Sequence, residues 1–248
     1  MHKNLEWLPQ TYRKALKNFL KQIKPYLKEI KCLAIVGSAA RREDFIDGWS
    51  DIDMLVITKN REIIDEIKRI AEKINETHSK TIRGIGIISL WIDVDIDVYK
   101  WLGTGCEYYN ITKNFILLHG EDIRKLLAEP SRKEILKSII IFTESLEKHL
   151  SKIKEEMLEK ISSHEIASIL FPLLRFYLCY KGHPTASKIE IINTIKNKQL
   201  LTMKEIQIIE TIFQDILKGR SRIDPKLNRE AKALIEKIIS KLSNITLD

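Results

Sequence analysis

Two apolar runs joined by a short polar stretch constrain this chain more than any other feature. The first, Cys32-Leu33-Ala34-Ile35-Val36, closes on Gly37-Ser38; the second, running to Thr58, opens on Asp51-Ile52-Asp53. Both read as strands, rich in β-branched and aliphatic residues and bounded by turn formers. On a strand, residues i and i+2 project to the same face, so Asp51 and Asp53 point together while Ile52 and Met54 take the other face. Adjacent carboxylates repel, and a divalent cation relieves the repulsion. Glycine lets backbone approach a ligand closely, and a helix beginning just after Gly37-Ser38 would aim free N–H groups at an anion. A phosphate grip beside a Mg²⁺ grip is equipment for a nucleoside triphosphate.

The whole stretch, Gly37-Ser38-Ala39-Ala40-Arg41-Arg42 through Trp49-Ser50-Asp51-Ile52-Asp53, resembles the signature of the polymerase-β-type nucleotidyltransferase superfamily. Within it, the aminoglycoside-type and archaeal nucleotidyltransferases are most alike, with their Gly-Ser, short helix and Ser-Asp-x-Asp strand. Arg42 stands where that family commonly has a glycine. The resemblance implies transfer of a nucleoside monophosphate from a nucleoside triphosphate to a hydroxyl, with Mg²⁺ and release of pyrophosphate. Asp51 and Asp53 would bind the metal. Gly37 and Ser38 would hold the triphosphate, and Arg41 and Arg42 could add positive charge to it.

Such a site takes a third carboxylate from a neighbouring strand. Trp91-Ile92-Asp93-Val94-Asp95-Ile96-Asp97-Val98-Tyr99 alternates apolar residues with aspartates, so all three acids share one face. Aspartate is a poor strand former, and three in register repel one another, which points to cations nearby. Which of them faces the metal depends on register. The family's habit of placing this acid about four residues before the strand ends favours Asp95, then Asp97, then Asp93. The third acid would complete a two-metal site or serve as general base.

Elsewhere, the pattern predicts an amphipathic helix over 9–31, interrupted at Pro25, and a helix over Arg61–Glu76 with an isoleucine stripe. Thr81–Leu90 and Trp91–Tyr99 read as extended. Gly84-x-Gly86 lacks a third glycine at the right offset and is discounted as a dinucleotide fingerprint. Phe115–Ile123 resembles the element that closes the catalytic domain in many of these enzymes, with His119 read as a packed ring. From Ser131, a helix cap after Pro130, helices alone are expected, over 131–160, 163–181, 187–197, 202–218 and 227–243. Phe171–Gly182 followed by Ser187-Lys188 looks like the helical domain of aminoglycoside-type transferases, which implies a phosphate contact for Lys188. The expected architecture is an α/β (α+β) nucleotidyltransferase domain with a small mixed sheet over 1–128, carrying the basic amino-terminal helix. An all-α helical bundle over 129–248 would follow.

The net charge of +8 is unevenly spread: residues 1–31 carry +6, residues 32–125 carry −3 and residues 126–248 carry +5. An acidic core flanked by basic helices admits RNA as an acceptor, although no aromatics interleave with the basic residues; lysine-coated amphipathic helices give the same count. A small hydroxylated acceptor is therefore the first reading. A macromolecular one (a tRNA end or a protein side chain) is the second, and a catalytically silent nucleic-acid-binding module the third. Three cysteines without zinc spacing, and no apolar leader or membrane-length run, point to a reducing cytoplasm and no membrane partner. The wealth of Ile, Lys and Glu with little Gln hints at a thermophile.

Overall fold

A computed structural model gives the fold of the chain and describes residues 5–79, 82–91, 105–151, 160–219 and 223–245. The chain divides into two compact units. Unit 1 comprises Met1–Gly103 and Asn110–Ala128, and unit 2 comprises Thr104–Tyr109 and Glu129–Asp248. The chain thus enters the second unit for six residues, returns to the first, and leaves it again.

Unit 1 is built on a four-stranded sheet of order β3-β2-β1-β4, with β1 at Ile30–Val36, β2 at Ile52–Thr58, β3 at Ile85–Trp91 and β4 at Phe115–Gly120. β1 pairs antiparallel with β2 and with β4, whereas β2 and β3 run parallel. The parallel pair is joined by α2, Arg61–His78, as a parallel connection requires. The small mixed sheet expected from the sequence is the one found. β1 starts two residues before Cys32 and ends at Val36, so Gly37-Ser38 lie just past the strand.

The amino-terminal helix stops earlier than its hydrophobic pattern suggests. α1 covers Gln10–Ile23, and Lys24–Glu29 tightens into 3₁₀ geometry with Pro25 near its start. Proline lacks the N–H an α-helix would use there, and its ring crowds the preceding turn. Tyr12, Ala15, Leu16, Phe19 and Ile23 of α1 are completely buried. They join Ile63, Ile67, Ile70 and Ile74 of α2 and the inward side chains Leu33, Ile35, Ile52, Met54 and Val56 of the two central strands in one core.

Unit 2 is helical among its described residues. α3 (Cys106–Lys113) spans the change of unit and is followed by α4 (Arg132–Leu150), α5 (Ser163–Tyr180), α6 (Lys188–Asn197), α7 (Met203–Leu217) and α8 (Pro225–Ser243). Four of these start in a capping box, formed by Ser131 with Glu134, Ser162 with Glu165, Ser187 with Glu190 and Thr202 with Glu205. Each box satisfies two backbone donors that the first turn leaves over. The fifth, α8, uses Asp224 ahead of Pro225. α4 stops at Leu150, short of the end expected at 160, and 152–159 lie outside the described residues. Pro172 sits inside α5 without ending it, where Phe171 and Phe176 pack against Phe213 and Phe142.

Candidate active site

The carboxyl end of β1 and the amino end of β2 are neighbours in the antiparallel pair, Val36 lying opposite Asp53. Asp53 in turn lies opposite Gly86 on β3. The side chain of Asp53 thus leaves the sheet between Gly37, just past β1, and Gly86. A Cβ on Gly37 would lie 2.8 Å from Asp53 Oδ2, and one on Gly86 would lie 3.0 Å from Oδ1. The first is closer than real Cβ atoms come and the second is tighter than most, so two absent side chains leave the carboxylate its space. Gly37 also has φ +68°, a conformation that costs other residues about 1–2 kcal/mol.

Gly37 opens a single 3₁₀ turn, Gly37–Ala40, so the short helix expected just after Gly37-Ser38 is one turn that begins at the glycine itself. Ser38 is half-buried in this turn, and its carbonyl accepts from the Arg41 N–H at 3.1 Å. The Arg41 guanidinium folds back onto the buried Asp44, Nη2 to Oδ2 2.6 Å, while Arg42 is exposed. Arg41 Nε is buried with no hydrogen-bond acceptor among the described residues.

Asp51 precedes β2 in a backbone pinned from several sides. Ser50 donates its N–H to the Ile46 carbonyl at 2.8 Å and accepts the Ile46 N–H on its hydroxyl at 2.9 Å. The Ile52 N–H reaches the Gly84 carbonyl at 2.9 Å. Asp51 and Asp53 are both half-buried, flanking the fully buried Ile52, as the alternation expects. The loop between the two strands is anchored to α1, where Tyr12 Oη accepts the Gly48 N–H at 3.2 Å and the Tyr12 ring meets Phe45 edge-on at 4.9 Å. Burial raises the Tyr12 phenol above its ordinary value, and the charges of Asp47 and Asp51 add to the rise.

Gly37, Ser38, Arg41, Asp51 and Asp53 are thus gathered at one end of the sheet. The three candidates for the third acid, Asp93, Asp95 and Asp97, lie outside the described residues. Lys188 is the first residue of α6 in unit 2, behind the Ser187 cap. His119 hydrogen-bonds the Leu27 carbonyl through Nε2 at 2.9 Å, a structural pairing that fits its reading as a packed ring.

Gly86 is the neighbour of Asp53 that the sequence does not single out. Its part depends on the pairing of β3 with β2, and Gly84-x-Gly86 was weighed only as a dinucleotide motif. Asn75 of α2 fixes that strand's start, accepting the Ile85 N–H at 2.7 Å and donating to the Ile85 carbonyl at 3.1 Å.

The donor set is two half-buried carboxylates that flank Ile52 at the start of β2. Hard oxygen ligands of this kind suit Mg²⁺, which takes one or two carboxylates and fills its other positions with phosphate oxygens and water.

No protein-family model matches the chain, and no curated protein is detectably similar in sequence. Among solved structures, the chain is similar to spectinomycin adenyltransferase AAD(9) from Enterococcus faecialis, crystallised with ATP and spectinomycin. The TM-score is 0.55 at 16% identity, over 92% of this chain and 98% of that one. The likeness is one of fold. It agrees with the architecture expected from the sequence, an α/β domain with a small mixed sheet followed by helices.

Proposed function

We propose that this chain is a nucleotidyltransferase, moving a nucleoside monophosphate from a nucleoside triphosphate to a hydroxyl of a small molecule and releasing pyrophosphate. The observation that carries the reading is the seat of Asp53 between Gly37 and Gly86, with Asp51 two residues before it. A carboxylate cleared of neighbouring side chains on two sides is placed to meet a ligand. The fold neighbour, crystallised with ATP and spectinomycin, supports a nucleotide donor and a small acceptor.

In this reading, residues 1–128 form the catalytic domain and 129–248 the helical one. Asp51 and Asp53 would hold Mg²⁺, which when bound would neutralise charge on the triphosphate. Gly37 and Ser38 hold the β- and γ-phosphates, and Arg41, steadied by Asp44, adds positive charge beside them. Lys188 contacts phosphate from α6. The acceptor oxygen attacks the α-phosphorus in line, the bond to the bridging oxygen breaks, and pyrophosphate leaves. The proton of the acceptor passes to the third carboxylate, for which Asp95 is proposed ahead of Asp97 and Asp93. The cytoplasm suits three free, buried cysteines. Among the described residues no helix is long and apolar enough to cross a membrane.

Calorimetric titration of the four nucleoside triphosphates, with and without Mg²⁺, tests the proposal. Mg²⁺-dependent binding by the wild type, lost in Asp51→Asn/Asp53→Asn, is the expected result. A wild type that binds none of them would overturn it.

A further inference from the structure

The outer face of the amino-terminal helix is a row of cations. Lys14, Lys17 and Lys21 recur at the three- and four-residue spacing that keeps side chains on one face of a helix, and Lys24 and Lys28 continue the series through the 3₁₀ segment. All five are exposed, and among the described residues none takes part in an ion pair. A solvated helix face usually mixes signs, as α2 does with Glu62, Asp65, Lys68, Arg69 and Glu72. From Lys14 to Lys28 no acidic residue intervenes.

The row has a direction. Tyr12, near its start, is bound to the loop that leads to Asp51. Lys28, at its end, lines an open groove of about 440 Å³ with Lys31 and Lys59, beside Glu29 and Glu121. Lysines three to four residues apart on an α-helix stand roughly 5 Å from one another along the axis. The whole row spans roughly 20 Å at the rises of α- and 3₁₀-helices.

The geometry points to a docking surface for single-stranded RNA, whose phosphates would lie along the row Lys14, Lys17, Lys21, Lys24 and Lys28. Regularly spaced ammonium groups suit a ligand with regularly spaced negative charge. A membrane surface is a poor fit, because helices that lie on bilayers insert an apolar face. In α1 that face, with Tyr12, Leu16, Phe19 and Ile23, is wholly buried in the core. A duplex is also a poor fit, since its phosphates follow a fixed spiral, whereas a flexible single strand can follow the row where it turns from α- into 3₁₀-geometry. The row includes none of the proposed catalytic residues, so the inference stands or falls separately from the catalytic reading.

Fluorescence anisotropy of a labelled single-stranded RNA of about 20 nucleotides, long enough for sites of 4–16 nucleotides, tests this between about 50 and 200 mM salt. Five phosphate contacts give a log–log salt slope of about −3.5, at roughly −0.7 per contact on a single strand. The variant Lys14→Gln/Lys17→Gln/Lys21→Gln/Lys24→Gln/Lys28→Gln is expected to bind at least tenfold more weakly at the low-salt end and to lose most of the slope. The exposed lysines of unit 2 provide the control: Lys133→Gln/Lys137→Gln/Lys148→Gln/Lys198→Gln/Lys218→Gln removes the same charge and should leave binding unchanged. Circular dichroism checks that each variant folds, and Lys17→Gln/Lys21→Gln serves if the fivefold variant does not. Equal weakening by the two charge-matched variants overturns the proposal, as does a wild type that fails to bind. Binding to duplex DNA or phosphatidylserine vesicles as tight as to the RNA overturns it too.

Discussion

Adding one carbon at Gly86 would place it 3.0 Å from Asp53 Oδ1, and adding one at Gly37 would place it 2.8 Å from Oδ2. The two substitutions should nonetheless behave differently. Gly37 has a positive φ, so Gly37→Ala strains the backbone as well as pressing on the carboxylate. Gly86 sits in a strand with ordinary backbone geometry, and Gly86→Ala only asks Asp53 to move by a few tenths of an ångström. We expect Gly86→Ala to keep its melting temperature within a few degrees while nucleotide binding with Mg²⁺, or turnover, falls at least tenfold, as misplacement of a positioned group implies. Gly37→Ala should lose both. Parallel thermal melts and nucleotide titrations on the two variants separate the effects, and an unchanged Gly86→Ala would mean that the cradle does not position Asp53. The aspartate pair and Gly37 were legible in the sequence because they lie within one local pattern. Gly86 was not, because its neighbour is set by strand register, a long-range property that period-two alternation leaves open.

At the scale of elements, β3 is the piece on which the site depends most. It is held to β2 by parallel pairing and to α2 by the Asn75 amide, which occupies both the N–H and the C=O of Ile85. Removing that amide leaves two backbone groups without partners at the residue before Gly86. Asn75→Ala should therefore destabilise unit 1 by about 2 kcal/mol. It should also weaken nucleotide binding, through the loosened position of Gly86. Urea unfolding followed by circular dichroism reads the first effect, and the calorimetric titration reads the second. The starts of the helices after residue 130 were readable to within a residue or two, since Ser or Thr followed three residues later by Glu writes most of the caps into the sequence, whereas α3 at Cys106 was not expected. Helix ends were harder. α1 stops at Ile23, two residues before Pro25, where the apolar period alone would carry it to residue 31.

For the molecule as a whole, the capping carboxylates couple stability to acid. The Ser131 hydroxyl and N–H hold Glu134 below the ordinary glutamate value of 4.5, and the Ser162 N–H and hydroxyl do the same for Glu165. Burial opposes ionisation of Glu205, yet Lys237 at 2.5 Å and the Thr202 cap outweigh it. A carboxyl whose value is lowered by folding takes up a proton more readily in the unfolded chain. Its contribution is therefore complete above about pH 4.5 and is lost as the pH falls through the lower folded value. Melting temperature should be nearly flat from pH 7 to 5 and fall steeply below that. Glu134→Gln/Glu165→Gln/Glu205→Gln should start lower and show a shallower fall, and an equally steep fall in that variant would place the acid sensitivity elsewhere.

The path of the chain between the two units carries a consequence for inheritance. Residues Thr104–Tyr109 belong with the helices, but β4, which covers one edge of β1, is encoded after them. No single break in the coding sequence separates the units cleanly. A break at Gly103 strips β4 from the sheet, and one at Ala128 carries six residues of the helical unit away with it. Recombination that trades one helical unit for another would need three junctions, after Gly103, Tyr109 and Ala128, so the halves of such a protein are expected to diversify together by point mutation rather than by exchange.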